Sequence, residues 1–328
     1  MAVFLDILGI LTPILLMVAC GVVLRWKFRL DLGTLSKLNI YLFVPAFVFE
    51  KVSTSTLTWG SMGGIVAITV LQVLTLGLVV AGIGKALRVQ RKTLAAVALA
   101  VMFYNSGNYG LPLADLAFSR DGAAVQAFVV LSQNVLTFTV GLAIAVWAGS
   151  GGFAKGILTL LRLPVLPTLV AALSAKWWMS LDPPNHQLPR ALMDTARYIA
   201  NGMVPIALVT LGAQLASNPR WPRWRPIALV LVLRLVFGPI QMIGLLWGLH
   251  RLAVWQGGGV WGSMDLWPWP AQLLCLTAAV PTAVNTLLLT MELDGDADLA
   301  ADCVFWTTVF SCVTIAAWLV AIKYHFPA

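Results

Sequence analysis

Charge is what this sequence has least of: Asp, Glu, Lys and Arg make up 10% of its 328 residues, where a soluble domain carries about 25%. A water-facing surface cannot be covered at that density, which excludes a soluble globular protein. With 60% hydrophobic residues the chain must dissolve in lipid. Cysteine is sparse as well. The four, Cys20, Cys275, Cys303 and Cys312, fall in apolar stretches at spacings that suit neither a disulfide framework nor a zinc site, so they read as small packing residues. Histidine is sparser still: His186, His250 and His325 lie in connections or the tail. They offer no metal cluster and no base beside a nucleophile, so the chain is not expected to be an enzyme. Long polar stretches are missing too. The longest interruptions, "LDPPNHQLPR" (181–190) and "RLAVWQGGGVWGSMDLWPWP" (251–270), are short enough to be connections, which leaves function to the apolar segments. The start "MAVFLDILGI" lacks a basic n-region and its apolar run continues too far for a cleaved signal, so the first segment is expected to remain in the mature protein.

What is present is a series of runs long enough to span a bilayer, about 18 residues or more. The uncharged ones are Ile7–Leu24, Val52–Gly84, Thr93–Ala114, Gly122–Ala154, Tyr198–Pro219, Leu266–Met291 and Cys303–Ile322. Leu32–Phe49, Gly156–Trp178 with Arg162, and Arg225–Leu249 with Arg234 are shorter or carry a charge. Together they predict an all-α polytopic membrane protein of ten transmembrane helices. The net charge of +8 does not point to nucleic acid, because Lys and Arg sit in short loops between apolar runs and report orientation instead. Setting Arg234 aside, alternate loops hold 13 of them on one side and 7 on the other. By the positive-inside rule both termini lie outside the cytoplasm, in a plasma (inner) membrane. Trp177, Trp178, Trp221, Trp224, Trp255, Trp261, Trp267 and Trp269 cluster near the ends of the runs, as an interfacial belt does.

Ten helices divide as five and five, and an odd number per half inverts the second half. The expected halves are residues 1–150 and 151–328. "LTPILLMVACGVVLRWK" in helix 1 echoes "VLPTLVAALSAKWW" in helix 6, and "LNIYLFVPAFVF" in helix 2 echoes "IANGMVPIALVT" in helix 7. The fourth pair is the most informative. Helix 4 carries "FYNSGNYGLPLA" (103–114), and helix 9 carries "LTAAVPTAVNTLLLT" (276–290). Gly107, Gly110 and Pro112 in the first, and Pro281 with Asn285 in the second, interrupt runs that otherwise read as continuous helix. Unwound backbone cannot face lipid, because each unsatisfied group costs several kcal/mol there. Both breaks must line a cavity or be buried in protein.

"NSGNYGLPLA" (105–114), "LNIYLFVPAFVF" (38–49), "VPIALVTLGAQLA" (204–216) and "AVPTAVNTLLL" (279–289) make the chain resemble the auxin efflux carrier family, a relative of the bile acid and sodium symporter fold. The resemblance covers essentially the full length. It implies two inverted repeats of five helices, a scaffold side and a transport side, and helices 4 and 9 crossing at their breaks at the membrane midplane. It also implies a small organic anion as substrate, since family members carry indole acids or dicarboxylates such as malonate and malate. A homodimer through the scaffold side is implied in the same way. The long central cytoplasmic loop of some plant members is absent from this sequence.

The chemistry of the breaks points to an anion without the resemblance. Half-helices starting near Leu111 and Thr282 would direct two positive amino ends at one point, with the amides of Asn105, Asn108 and Asn285 beside them. The carbonyl ends near Tyr104 and Val280 could hold a cation or water. Candidate substrate-binding residues are therefore Asn105, Ser106, Gly107, Asn108, Tyr109, Gly110, Pro112, Pro281 and Asn285, with Pro45 (and Pro205 in helix 7) as kinks shaping the cavity. Gln133 and Asn134 in helix 5 are further candidates, although polar pairs also join helices in lipid. Arg234 and Asp115 are ionisable residues inside spans, suited to charge balance or coupling; snorkelling to the surface is the alternative for Arg234. No metal site or cofactor is expected, beyond a proton or sodium as coupling ion. "DGDADLAADCVF" (294–305) lacks the Gly and the terminal Glu of a calcium loop. The expected function is secondary transport by alternating access with an elevator-like movement. A non-transporting sensor of the same ligand would share every feature of the breaks.

Overall fold

The computed structural model describes residues 2–28, 30–118, 121–149, 164–181, 186–216, 223–255, 257, 262 and 264–325. Among these residues every regular element is helical. α1 (Ala2–Phe28) leads to α2 (Leu32–Leu38), which runs through a π turn (Asn39–Phe43) into α3 (Val44–Ser53). α4 (Trp59–Ala86) and α5 (Arg91–Met102) follow; a π turn (Ser106–Gly110) then opens α6 (Leu111–Ala117). α7 (Gly122–Leu136) joins α8 (Leu142–Ala148) through a third π turn (Thr137–Gly141). The second half contains α9 (Val165–Leu181), α10 (Arg190–Asn201) and α11 (Met203–Leu215). α12 (Trp224–Leu231) joins α13 (Gly238–Trp255) through a fourth π turn (Val232–Phe237), and α14 (Trp269–Thr277), α15 (Val284–Glu292) and α16 (Ala297–His325) complete the chain.

Among the described residues, six continuous runs are long and apolar enough to cross a membrane: Leu32–Ser53, Trp59–Ala86, Gly122–Ala148, Arg190–Leu215, Trp224–Trp255 and Ala297–Ile322. Large apolar side chains such as Leu78, Val313 and Leu16 stand on the outside, where lipid tails would cover them, as do Trp177, Trp178, Trp224 and Trp255 near helix ends.

Two boundaries differ most from the sequence expectation. Helix 3 begins at Trp59 and not at Val52, because Thr58 caps it by accepting the Ser61 N–H at 3.1 Å. Val52 and Ser53 instead finish α3. Helix 7 begins at Arg190, well before Tyr198, since nothing from Arg190 to Asn201 breaks a helix. Its polar residues share one face while Ala196 and Ala200 are buried on the other, a pattern that a search for uncharged runs passes over. The expected spans Gly122–Ala154, Gly156–Trp178 and Tyr198–Pro219 each extend partly outside the described residues, as do Trp221 and Trp261 of the Trp set.

The closest packing falls into two sets, which are joined by α1 on α16 and α3 on α7. α1 lies along α11, while α9 and α10 lie on α3. α4 packs on α5 and α7, α5 on α8, α12 on α16 and α16 on α5. Within the first set α1 and α11 touch backbone to backbone. A Cβ added at Gly21 would come within 2.1 Å of the Val209 carbonyl, and one at Gly212 within 1.9 Å of the Val18 carbonyl.

Candidate functional site

The second interruption contains Pro281 as expected, but the first lies at 103–105, ahead of Gly107, Gly110 and Pro112, which sit in the π turn and α6 that resume the helix from Ser106 and not from Leu111. α5 ends at Met102, Phe103 is extended, and Pro112 lies in the first turn of α6. α14 ends at Thr277 and helix resumes at Val284. The two non-helical segments lie against each other, and each satisfies the other's backbone. Asn105 N donates to the Pro281 carbonyl at 2.7 Å, Ala283 N donates to the Phe103 carbonyl at 3.1 Å, and Tyr104 and Thr282 are paired antiparallel between them. Thr282 adds two more bonds. Its hydroxyl donates to the Ala100 carbonyl at 2.9 Å, and its N–H donates to Thr307 Oγ1 at 3.0 Å. Gln126 joins the segments from the side: its Nε2 donates to the Ser106 carbonyl at 2.9 Å while its Oε1 accepts from Thr277 Oγ1 at 2.7 Å. The cost of two open helix ends in lipid is thus met within the protein.

A cavity of about 260 Å³ opens beside this junction. Asn105, Ser106, Gly107, Asn108, Gln133, Asn134 and Asn285 line it, together with Tyr104, Thr137 and an apolar wall that includes Tyr41, Val44, Val165 and Leu288. The Asn105 side chain caps the resumed helix, its Oδ1 accepting the Asn108 N–H at 3.2 Å, while its buried Nδ2 has no partner in the protein. Gln133 is 2% exposed. The Tyr104 hydroxyl lies beside the Gln133 carboxamide, yet neither group meets hydrogen-bond geometry with a protein partner. Buried polar groups are normally paired; Asn105 Nδ2 and Gln133 Nε2, in two residues that line the cavity, are buried donors without a protein partner. Among the described lining residues none carries a formal charge.

The other sequence candidates are not in the cavity wall. Tyr109 and Pro112 are buried in the packing of α6. Gly110 gives room to Gln126, whose Nε2 would lie 2.3 Å from an added Cβ. Pro281 contributes the carbonyl that Asn105 uses. Pro45 opens α3, and Pro205 lies in α11. Asp115 forms an ion pair with Lys51 at 3.2 Å. Arg234 does not reach the surface: it is completely buried in the fourth π turn. Its guanidinium donates to the carbonyls of Val101, at 2.7 Å, and Ala278, and lies 4.7 Å from the centre of the Tyr104 ring. Of the carbonyls near the two helix ends, those of Val101 and Ala278 are met by this side chain.

Asn39 is a residue the sequence reading missed. It is 1% exposed, sits at the start of the first π turn, and donates from Nδ2 to Asn108 Oδ1 at 2.8 Å. An asparagine inside an apolar span was the signal available. Gln126 carried the same signal. A larger depression of about 420 Å³ lies near the end of α13, lined mainly by apolar residues with His250 and Asp265; it has no connection to the breaks.

Comparison with known proteins agrees with this geometry. Residues 154–319, half of the chain, match the family model described as "Membrane transport protein". A protein of Rhizobium meliloti named "Putative malonate transporter" is 26% identical over 89% of this chain and 87% of its own length. An "Uncharacterized transporter" of Methanothermobacter thermautotrophicus is 23% identical over 89% of each chain, and another from Methanocaldococcus jannaschii is 22% identical over 87% of each. Apolar helices broken at one buried, carboxamide-lined junction, in a chain with this match, make it an integral membrane transporter and not an enzyme. It belongs to the membrane transport protein family, the auxin efflux carrier family to which its motifs point.

Proposed function

We propose that this transporter carries a small organic anion, a mono- or dicarboxylate or an auxin-like acid, bound in the cavity beside the two breaks. The observation that carries the proposal is the set of carboxamides around that cavity, with Asn105 Nδ2 and Gln133 Nε2 buried and unpartnered. A carboxylate accepts several hydrogen bonds at once, and bonds to a charged group are the stronger kind. The first residues of α15, Val284 and Asn285, add N–H groups that have no acceptor within the helix. The malonate named for the Rhizobium meliloti relative favours a dicarboxylate within this class.

The ten-helix reading, with inverted halves 1–150 and 151–328 and with helices 4 and 9 crossing at the midplane, places the cavity between two bundles. α1–α3 and α9–α11 would form the scaffold, and the remaining helices would move against it as an elevator. Under the proposed orientation in the plasma membrane, with both termini outside, the residues lining the cavity on α3, α8's π turn, α9 and α15 lie toward the cytoplasm. The cavity then opens inward, and alternating access requires it to close there and open outside.

A thermal-shift screen of purified protein against malonate, malate, acetate and indole acids, with and without sodium at two pH values, tests the assignment, since a ligand of the folded state raises apparent stability. A carboxylate response that disappears in Asn108→Ala, followed by flux of that compound into liposomes, is the expected result. A response to neutral or cationic compounds alone overturns the anion assignment; binding without flux would make the protein a sensor.

A further inference from the structure

Arg234 is a full positive charge in the interior of a membrane protein, where such charges are rare and normally paired. Among the described residues no carboxylate forms an ion pair with it. Its partners are neutral: the Val101 and Ala278 carbonyls and the face of Tyr104. Those carbonyls are not incidental. They belong to the carboxyl ends of the two interrupted helices, each of which carries about half a negative charge. One guanidinium thus balances two helix dipoles at their meeting point. Five of the neighbouring carbonyls are engaged by the protein: Leu99, Phe103, Leu276 and Thr277 accept backbone N–H groups, and Ala100 accepts the Thr282 hydroxyl. A hard metal cation needs several oxygens converging on one point, and here that point is held by Arg234.

The sequence builds this placement deliberately in physical terms. The π turn Val232–Phe237 inserts an extra residue into the helix and so turns Arg234 toward the junction. Gly238 keeps the space clear, since a Cβ there would lie 3.1 Å from Arg234 Nη2. On its far side the Tyr104 ring belongs to the cavity wall. The Arg234 charge is therefore one aromatic ring away from the cavity.

We infer that Arg234 is the resident counter-cation of the site: fixed on the carboxyl ends of both broken helices, it lets the cavity bind an anion without a co-bound metal cation. The inference rests on the anion reading of the cavity above. Arg234 does not touch the ligand and acts as a positioning and charge-balancing residue.

The test uses purified full-length protein with malonate as the probe. In the wild type, the malonate-induced rise in unfolding temperature is expected to be equal in sodium, potassium and choline chloride. Arg234→Lys, which keeps the charge, should retain the response, whereas Arg234→Gln should weaken it by at least roughly tenfold in apparent affinity. A sodium requirement in the wild type overturns the inference, as does a wild-type malonate response in Arg234→Gln. Should the variants fail to fold, the wild-type salt comparison still decides. A separate arm contains no carboxylate: millimolar methylguanidinium chloride is expected to raise the unfolding temperature of Arg234→Ala and to leave the wild type unchanged. Stabilisation there supports a cation site even if no carboxylate binds the wild type, an outcome that would defeat the anion reading alone; no stabilisation would count against Arg234 as counter-cation.

Discussion

Asn108 and Asn285 face one cavity from the two broken helices, and each has a carboxamide short enough to be held by the local backbone. Replacing either by Ala removes one hydrogen bond to a charged ligand, worth about 1.5–3 kcal/mol, so uptake at subsaturating substrate should fall at least roughly tenfold while the protein still folds. Wild-type rates in both variants would remove these residues from the site. Asn39→Ala is a weaker perturbation of the same kind, because it acts through its bond to Asn108. Although Gly107, Gly110 and Pro112 prove to lie in the helix that resumes after the break, the asparagines of the breaks were legible in the sequence because they stand among glycines and prolines. Asn39 was not, since its neighbours "LNIYLF" read as ordinary apolar helix, and only the π turn brings its side chain to Asn108. Arg234 was legible as a charge in a span but not as a helix-end partner, because the carbonyls it binds lie 133 and 44 residues away in sequence.

At the level of elements, the second break coincides with Pro281 as local chemistry expects, whereas the first falls ahead of Gly107, Gly110 and Pro112, and the four π turns were not foreseen. No residue type announces an inserted residue, yet three of these turns contribute to the cavity wall and the fourth carries Arg234. Helix contacts show a similar division. Gly21 and Gly212 are unremarkable in sequence, but they allow α1 and α11 to meet at their backbones. Gly212→Ala places a Cβ against a carbonyl oxygen that no side-chain rotation can clear, and should cost about 1–3 kcal/mol, measured as a lower unfolding temperature with unchanged malonate affinity. Another tie joins helix starts at the predicted cytoplasmic end: Arg223 donates to Asp296 at 2.6 Å, and Asp296 caps α16 through the Leu299 N–H. Partial burial of Asp296 opposes its ionisation, but the Arg223 bond and the capping N–H outweigh it and hold the carboxyl below the usual range. A carboxyl depressed in the folded state stabilises fully above its unfolded value, near 3.9, and loses that contribution as pH falls through the folded one. The stability difference between wild type and Asp296→Asn should therefore be flat from pH 8 to about pH 5 and close only in more acidic solution. A difference that shrinks between pH 7 and 5 would contradict the depressed value.

The whole molecule adds a question of state. Within the proposed arrangement Lys51 ends the scaffold helix α3 and Asp115 belongs to the moving helix α6, so their 3.2 Å ion pair ties the two bundles together at the outer end. It closes the side opposite the cavity mouth. Both side chains remain partly exposed, at 27% and 31%, and such pairs contribute about 0–1 kcal/mol. Even so, an equilibrium between inward and outward forms responds to small differences, because 1 kcal/mol is about fivefold in population. Asp115→Asn leaves the shape and removes the attraction, so the outward form should gain up to about fivefold. The measurement is the rate at which a membrane-impermeant thiol reagent, added outside, modifies Val284→Cys in a background whose native cysteines are replaced. Val284 lines the cavity and would be reached from outside only in the outward form. Faster labelling in Asp115→Asn than in the parent supports the ion pair as an outer latch, and restoration by exchanging the pair, Lys51→Asp with Asp115→Lys, would tie the effect to their attraction. Unchanged labelling with intact folding would mean that apolar packing of α3 and α1 on the moving bundle holds the inward form, with the ion pair a bystander.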